Sequence, residues 1–312
     1  WLWSKGTHDF LGMTNLSKSH RSLLEEYFVI NHIAVEKLQR SDDGTIKNAI
    51  RLHDGYLVES ILIPTDTRST ACVSSQVGCS LDCHFCATAK LKRMRNLNPD
   101  EIYDQVVEID KQSQLYYNRP LTNIVFMGMG EPLMNHKNTL VAIDKITSPD
   151  GLGMSPKRIT VSTSGITKII REISEHNPKF KLAVSLHSAI EETRNRLMPF
   201  TKSFPLNQLL EALKYWYEKT KSKITFEVVV WKGINDRQAD IDALVSYCKQ
   251  VPSKVNLIEY NAIGEDQFVQ ATPKAISAYT TALENNRISV TVRRSRGKDI
   301  DAACGQLANK NH

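Results

Sequence analysis

The chain has 312 residues, of which 41% are hydrophobic and 24% charged, an ordinary globular composition. It contains no apolar run long enough to span a bilayer and no signal-peptide pattern, so a membrane span is not expected and a cytoplasmic location is. Six cysteines are too sparse for a disulfide scaffold, and a net charge of +6 suits either a phosphate-bearing partner or a basic solvated surface.

The chain begins at Trp1 and not at Met, which predicts a further segment upstream. Residues 1–40 read as helical and polar, with Leu16, Leu23, Leu24 and Phe28 at roughly helical spacing. Residues 45–63 read as two strands around Asp54-Gly55, a hairpin signal, and Thr65 to Thr70 read as a linker. From residue 71 strands and helices alternate. The strands are TACVSSQV, LTNIVFMG, KRITVSTS, KFKLAVSLH, KITFEVVVW, KVNLIEYN and RISVTVRR. The helices between them open with NPDEIYDQ and close with PKAISAYTTALENN. Apolar strands in about six β–α units predict a parallel sheet covered by helices. Six units are too few for a closed eight-fold barrel, so the expected fold is α/β, an open partial (β/α)6 barrel. Functional residues of such a fold belong at the C-terminal ends of its strands. The polar motifs GMGEP, STSG, SLHS and EYNAIGE all fall there. Three regions are expected: an accessory region at 1–64, a core at 65–292 and a tail at 293–312.

The stretch CVSSQVGCSLDCHFCATA, residues 72–89, holds four of the six cysteines. Cys79, Cys83 and Cys86 make a C-x3-C-x2-C loop after the first barrel strand. Three thiolates on one short loop can hold a metal centre. A structural zinc ion wants four closed ligands, and only Cys72 or His84 stands near enough in sequence to complete the set. A [4Fe–4S] cluster on three cysteines leaves one iron open for a small molecule. The spacing, with Phe85 before the last cysteine, resembles the radical S-adenosylmethionine superfamily, whose partial barrel matches the alternation above. There the open iron chelates S-adenosylmethionine, and one electron from the cluster releases a 5′-deoxyadenosyl radical.

A longer resemblance covers nearly the whole chain. ACVSSQVGCSLDCHFCATAKLKRMRNL, FMGMGEPLMN, TVSTSGI, AVSLHSA and GKDIDAACGQL are similar to the RlmN family. Its members methylate C2 of an adenine in 23S ribosomal RNA and, in some cases, of an adenine in tRNA. The resemblance implies that Cys304 takes a methyl from one S-adenosylmethionine and presents it, as a radical, to the base. It implies that Cys72 resolves the resulting RNA adduct as a Cys72–Cys304 disulfide, which an external reductant resets. An external electron donor must also feed the cluster. Glu59 matches the family's proton acceptor, and the sequence leaves the proton to either Glu59 or Cys72. Gly130, Glu131, Ser162, Ser185, Leu186, His187 and Asn261 match its cofactor-binding positions. Methylation at C8, by the sister Cfr-type relatives, uses the same cysteines and is the nearest alternative. A zinc-stabilised RNA-binding protein is a more distant one.

Lys90, Lys92, Arg93 and Arg95 lie beside the cysteine loop, and Arg293, Arg294, Arg296 and Lys298 precede Cys304. Such clusters near a reactive centre suit RNA phosphates, and each residue taken alone also reads as a solvated charge. The target base must leave its stack to meet Cys304. Cys248, on a helix, reads as a small core hydrophobe.

Overall fold

The computed structural model describes residues 2–7, 9–264 and 268–309. Two short helices, α1 (Leu2–Lys5) and α2 (Lys18–Tyr27), precede a 10-stranded sheet. Its strands begin with β1 (Ala34–Arg40), β2 (Ile46–Arg51), β3 (Leu57–Pro64) and β4 (Ser69–Cys72), all joined antiparallel. The β2–β3 connection is the expected one: Gly55, at φ +86°, closes a tight loop in which Leu52 N–H donates to the Tyr56 carbonyl at 2.8 Å.

Beyond β4 every main-sheet pairing is parallel. A two-residue pair, β5 (Gln76–Val77) with β6 (Arg95–Asn96), stands apart from that sheet and clips the base of the cysteine loop. Then follow α3 (Pro99–Tyr117), β7 (Asn123–Phe126), α4 (His136–Thr147), β8 (Ile159–Thr163), α5 (Thr167–Ser174), β9 (Lys181–Ser185), α6 (Glu191–Leu197), α7 (Leu206–Thr220), β10 (Ile224–Val229), α8 (Gln238–Cys248), β11 (Ser253–Ile258), α9 (Pro273–Asn285) and β12 (Ser289–Arg293). The strand order β4-β7-β8-β9-β10-β11-β12, with helices between successive strands, is the open partial barrel. β1 and β12 are its two edges, so the sheet does not close.

Local chemistry explains the framing. α3 starts at Pro99 behind a capping box between Asn98 and Glu101, and it stops at Asn118, which adopts the left-handed conformation at φ 49°. β10 is buried along its whole length, Ile-Thr-Phe-Glu-Val-Val, as a central strand covered on both faces must be. Cys248 packs into the core on α8, as expected.

Three expectations change. Residues 34–40 are a strand and not part of a helical region. β1 is an edge strand with no buried residue, so it carries no two-residue apolar rhythm to betray it. The supposed linker at 65–70 is a turn closed by Thr65 N–H on the Arg68 carbonyl, with β4 already begun at Ser69. TACVSSQV is not one strand: it breaks after Cys72, where Ser74 turns inward and its hydroxyl donates to the Glu59 carbonyl at 2.5 Å. The sheet therefore runs unbroken from the N-terminal hairpin into the barrel.

Candidate active site

The strand ends converge as the sequence predicts. Cys72 ends β4, Met127–Glu131 follow β7, Ser162 and Ser164 flank the end of β8, and Ser185–His187 close β9. Tyr260 and Asn261 follow β11, and the tail with Cys304 follows β12. Glu265, the last residue of EYNAIGE, lies outside the described residues.

The cysteine loop is anchored at its base. Gly78, at φ +73°, stands so close to the Lys92 backbone that a Cβ would lie 2.4 Å from the Lys92 carbonyl oxygen. Only glycine fits there. Further on, His84 N–H donates to the Leu197 carbonyl at 3.0 Å and Asp82 accepts from Phe200 N–H at 3.0 Å. Phe85 packs edge-on against His187, with centroids 4.6 Å apart, and on Trp231 at 5.0 Å. Burial pushes the Cys79 thiol up to about 12 and raises Cys83 well above the ordinary thiol range, each also repelled by neighbouring cysteine charge. Thiols raised in this way become ligands only on losing their protons, a loss that a bound metal centre favours. Among the described residues, no three of His, Cys, Asp or Glu are gathered into a metal-closing group. Of the two candidate fourth ligands, His84 is exposed and Cys72 is buried on β4.

Two clefts meet at Cys304. The first, with about 820 Å³ of empty space, is lined by Cys86, Gly130, Glu131, Ser162, Ser185, His187 and Asn261 among others. The Ser162 and Ser185 hydroxyls lie 3.5 Å apart at its wall. Asn261 spends its amide N–H on the Glu259 and Cys304 carbonyls at 3.3 and 3.2 Å. Its buried Oδ1 is left without a hydrogen-bond partner, an acceptor suited to the amino or hydroxyl donors of a ligand. Gly130, at φ +92°, leaves no room for a side chain: a Cβ would meet Gln76 at 2.5 Å. These features fit a polar, nucleoside-like ligand.

Other expected contacts differ in detail. Glu131 is buried, and its carboxylate accepts from Leu133 N–H at 3.0 Å and Ser164 N–H at 2.8 Å, tying the β7 loop to the end of β8. Leu186 is fully buried in the core and does not line the cleft. His187 lines it, but burial pushes its imidazole down to about 3, so it stays neutral, and Nδ1 accepts from Val229 N–H at 3.2 Å. Met127 borders both clefts, whereas Met129 is core.

The second cleft, with about 1080 Å³ of empty space, is lined by Cys72, Cys304 and four arginines, Arg68, Arg293, Arg294 and Arg296. Arg293 faces Glu227 at 3.6 Å, and Arg296 reaches Asp43 at 3.6 Å. Arg68 and Arg294 make no ion pair among the described residues. Near the cysteine loop, Arg95 is consumed structurally, bonded to Asp54 at 2.5 Å and to both oxygens of Glu101 at 2.7 and 2.8 Å. Lys90, Lys92 and Arg93 remain exposed.

The two thiols differ in setting. Cys72 is buried, and desolvation pushes it up to about 12, helped by the Cys304 charge and opposed by Arg293. Cys304 is solvent-accessible at the junction of the clefts, yet the protein crowded around it raises its thiol, with Arg293 pulling the other way. The tail that carries it is held by Ala87 N–H on the Gly305 carbonyl at 2.7 Å and by the Thr88 hydroxyl on the Leu307 carbonyl at 2.6 Å.

Glu59 lines neither cleft. It is buried on β3, 3.3 Å from Lys47 Nζ, and its other oxygen accepts from Ala308 and Asn309 N–H at 2.9 and 3.1 Å. Removing one half of a buried pair of this kind costs about 3–5 kcal/mol. Two structural residues escaped the sequence reading altogether, Lys47 and Arg194. The Arg194 guanidinium is fully buried and donates to the carbonyls of Ser185, Leu186 and Ser164, binding two cleft loops together. In IEETRNRLM it looks like any surface helix charge.

Comparison with known proteins fits this geometry. The Radical SAM superfamily model matches residues 73–245. The chain is 71% identical to the probable dual-specificity RNA methyltransferase RlmN of Flavobacterium psychrophilum, over 99% of this chain and 89% of that protein. It is 42% identical to the dual-specificity RNA methyltransferase RlmN of Geotalea uraniireducens, over 99% of this chain and 88% of that one. A crystal structure of a radical SAM methyltransferase from Sphaerobacter thermophilus superposes with a TM-score of 0.93 at 36% identity, covering 98% of this chain and 90% of that one. Streptococcus suis SuiB bound to S-adenosylmethionine shares the fold alone, with a TM-score of 0.54 at 15% identity over 72% of this chain and 50% of that one. Among the described residues, no helix is long and apolar enough to cross a membrane.

Proposed function

We propose, for a chain that belongs to the RlmN family of radical S-adenosylmethionine RNA methyltransferases, that it methylates C2 of an adenine in 23S ribosomal RNA, and of an adenine in tRNA, by way of Cys304. The observation that carries this reading is that Cys304 borders both clefts. One thiol can then face a cofactor on one side and a nucleotide on the other.

Cys79, Cys83 and Cys86 would hold a [4Fe–4S] cluster, and Gly130, Ser162, Ser185, His187 and Asn261 would hold S-adenosylmethionine. When bound, these groups supply a transferable methyl and a carbon radical able to take hydrogen from an S-methyl group. Cys304 receives the methyl as a thiolate; burial raises its thiol, and Arg293 opposes that rise. The target adenine leaves its stack and enters the second cleft, where Arg68 and Arg294 are available to flanking phosphates. Exposed Lys90, Lys92 and Arg93 extend that basic surface, and residues 1–64 add to it as an accessory region. A cytoplasmic location goes with this reading.

Cys72 completes the cycle. With its thiol raised to about 12 it stays protonated at rest and does not attack early. Once RNA is joined to Cys304 through the new carbon, the C2 proton would pass to water and one electron would be taken by the oxidised iron–sulfur centre held at Cys79, Cys83 and Cys86. Cys72 then gives up its proton toward the departing carbon and attacks the Cys304 sulfur. The S–S bond forms, the S–C bond breaks toward carbon, and that carbon takes a proton to become the methyl group. An external thiol reductant then returns both cysteines to the reduced state.

The test is the position of the new carbon. Anaerobic, iron-loaded, reduced protein acting on unmodified 23S RNA is expected to yield 2-methyladenine on digestion and mass spectrometry. 8-Methyladenine would overturn the C2 assignment, and RNA left unmethylated would overturn the activity.

A further inference from the structure

We infer that Lys47 and Glu59 form a latch that seats the tail around Cys304, so that Glu59 is a positioning residue and not the proton acceptor. The inference rests on the carrier role proposed above for Cys304.

Glu59 pairs across the sheet with Ala49, and Lys47 lies two residues along on the same strand as Ala49, so the two side chains meet diagonally on one face of the hairpin. Both are buried. Glu59 Oε1 faces Lys47 Nζ at 3.3 Å, while Oε2 accepts the backbone N–H groups of Ala308 and Asn309. Lys47 Nζ reaches the Asp301 carbonyl at 3.5 Å. The pair thus grips the tail on both sides of Cys304, at 301 and at 308–309. The Asn309 side chain adds a third contact, donating to the Leu57 carbonyl at 2.9 Å on the same strand as Glu59.

A general base must come within hydrogen-bond reach of the proton it takes. Both oxygens of Glu59 are engaged with Lys47 and the tail, and the residue borders neither cleft. The tail has little regular structure of its own: a single 3-10 turn, Lys298–Ile300, lies beyond β12 among the described residues. Its course depends on what it is tied to. The cysteine loop ties Gly305 and Leu307, and Gln306 ties to the Ala262 carbonyl at 3.0 Å. Asn261 holds the Cys304 carbonyl at 3.2 Å, and Ser41 and Asp43 hold Asp299 and Gly297 at 2.6 and 2.9 Å. To these the hairpin latch adds buried anchors at Asp301 and at Ala308 and Asn309, and without them the seat of the Cys304 thiol between the clefts loosens.

The test combines amide hydrogen exchange with tail chemistry on the iron-loaded enzyme. In the unaltered protein the amides of Ala308 and Asn309 are expected to be protected. Glu59→Ala is expected to speed their exchange at least about ten-fold and to lower S-methylation of Cys304 in parallel. The paired variant Lys47→Met/Glu59→Gln removes both charges and keeps an amide oxygen for the tail. It is expected to recover tail protection, Cys304 methylation and release of methylated RNA. Unprotected amides in the unaltered enzyme, or unchanged exchange in Glu59→Ala, would overturn the latch. So would a paired variant that recovers protection yet accumulates RNA–enzyme adduct, since that outcome gives the proton to Glu59. If the paired variant folds poorly, Ala308→Pro deletes one donor and leaves both charges, and exchange across 302–309 must still rise. Exchange does not depend on RNA chemistry: latch behaviour as described in an enzyme whose Cys304 never gains a methyl would count against the carrier role and not against the latch.

Discussion

Cys72→Ala is expected to halt the enzyme with RNA still joined to Cys304. The variant keeps the cysteine loop, both clefts and the carrier thiol, so the steps up to the covalent adduct are untouched. It lacks the one thiol that lines the second cleft beside Cys304. Breaking the S–C bond then has no nucleophile. Turnover should fall by at least about 10³-fold, with roughly one RNA bound per chain, because a covalent cycle without its resolving step stops after one pass. A Cys-to-Ala change in a buried strand removes a single sulfur, and a small hydrophobe remains in its place. The loss would therefore be chemical and not a failure to fold. Denaturing gels with labelled RNA read the adduct directly. Free methylated RNA over many turnovers would contradict the resolving role of Cys72.

The second large effect concerns the three-cysteine loop. Anaerobic reconstitution should give a brown, oxygen-sensitive protein with about four irons per chain, and Cys83→Ala should bring that close to zero. RNA methylation and S-methylation of Cys304 should be lost together. The fold should survive, because the loop is an excursion outside the main sheet. Its backbone is held by its own bonds, His84 N–H to the Leu197 carbonyl and Asp82 to Phe200 N–H. Circular dichroism like that of the unaltered protein, together with absent iron, is the expected pairing. A colourless protein with one zinc ion would instead support a structural metal and remove the radical chemistry from the account.

Much of this site is legible in the chain itself, because barrel folds concentrate function at strand ends. GMGEP, STSG and SLHS could be assigned to the cleft from strand alternation alone, and Gly130, Ser162, Ser185, His187 and Asn261 do line it. What sequence misses is whatever depends on partners far along the chain. Glu59 meets amides 249 and 250 residues away. Nothing in ESILIP distinguishes a latch from a solvent-facing glutamate. Lys47, within TIKNAI, looks like the polar face of a strand, yet β2 is buried from Ile46 to Ile50: Asn48 bonds Gln112 of α3, and Lys47 reaches the tail at the Asp301 carbonyl. Leu186 shares a motif with two cleft residues but turns into the core: its N–H is spent on the Glu227 carbonyl and its own carbonyl on Arg194. Motif membership carries a residue to the right loop and says nothing of which way it faces.

β1 illustrates a different limit. Its exposed sequence AVEKLQR has helix-forming residues and no apolar alternation. Only pairing with β2 makes it a strand.

The most direct measurement follows the methyl group itself. Iron-loaded, reduced enzyme is incubated with S-adenosylmethionine carrying a deuterated methyl, without RNA, and the peptide containing Cys304 is weighed. The label should sit on the Cys304 sulfur, and a chase with RNA and unlabelled S-adenosylmethionine should deliver carbon from that pool to the first product formed. If Cys304 stays unmodified while RNA gains the label in a single turnover, the thiol between the clefts is not the carrier.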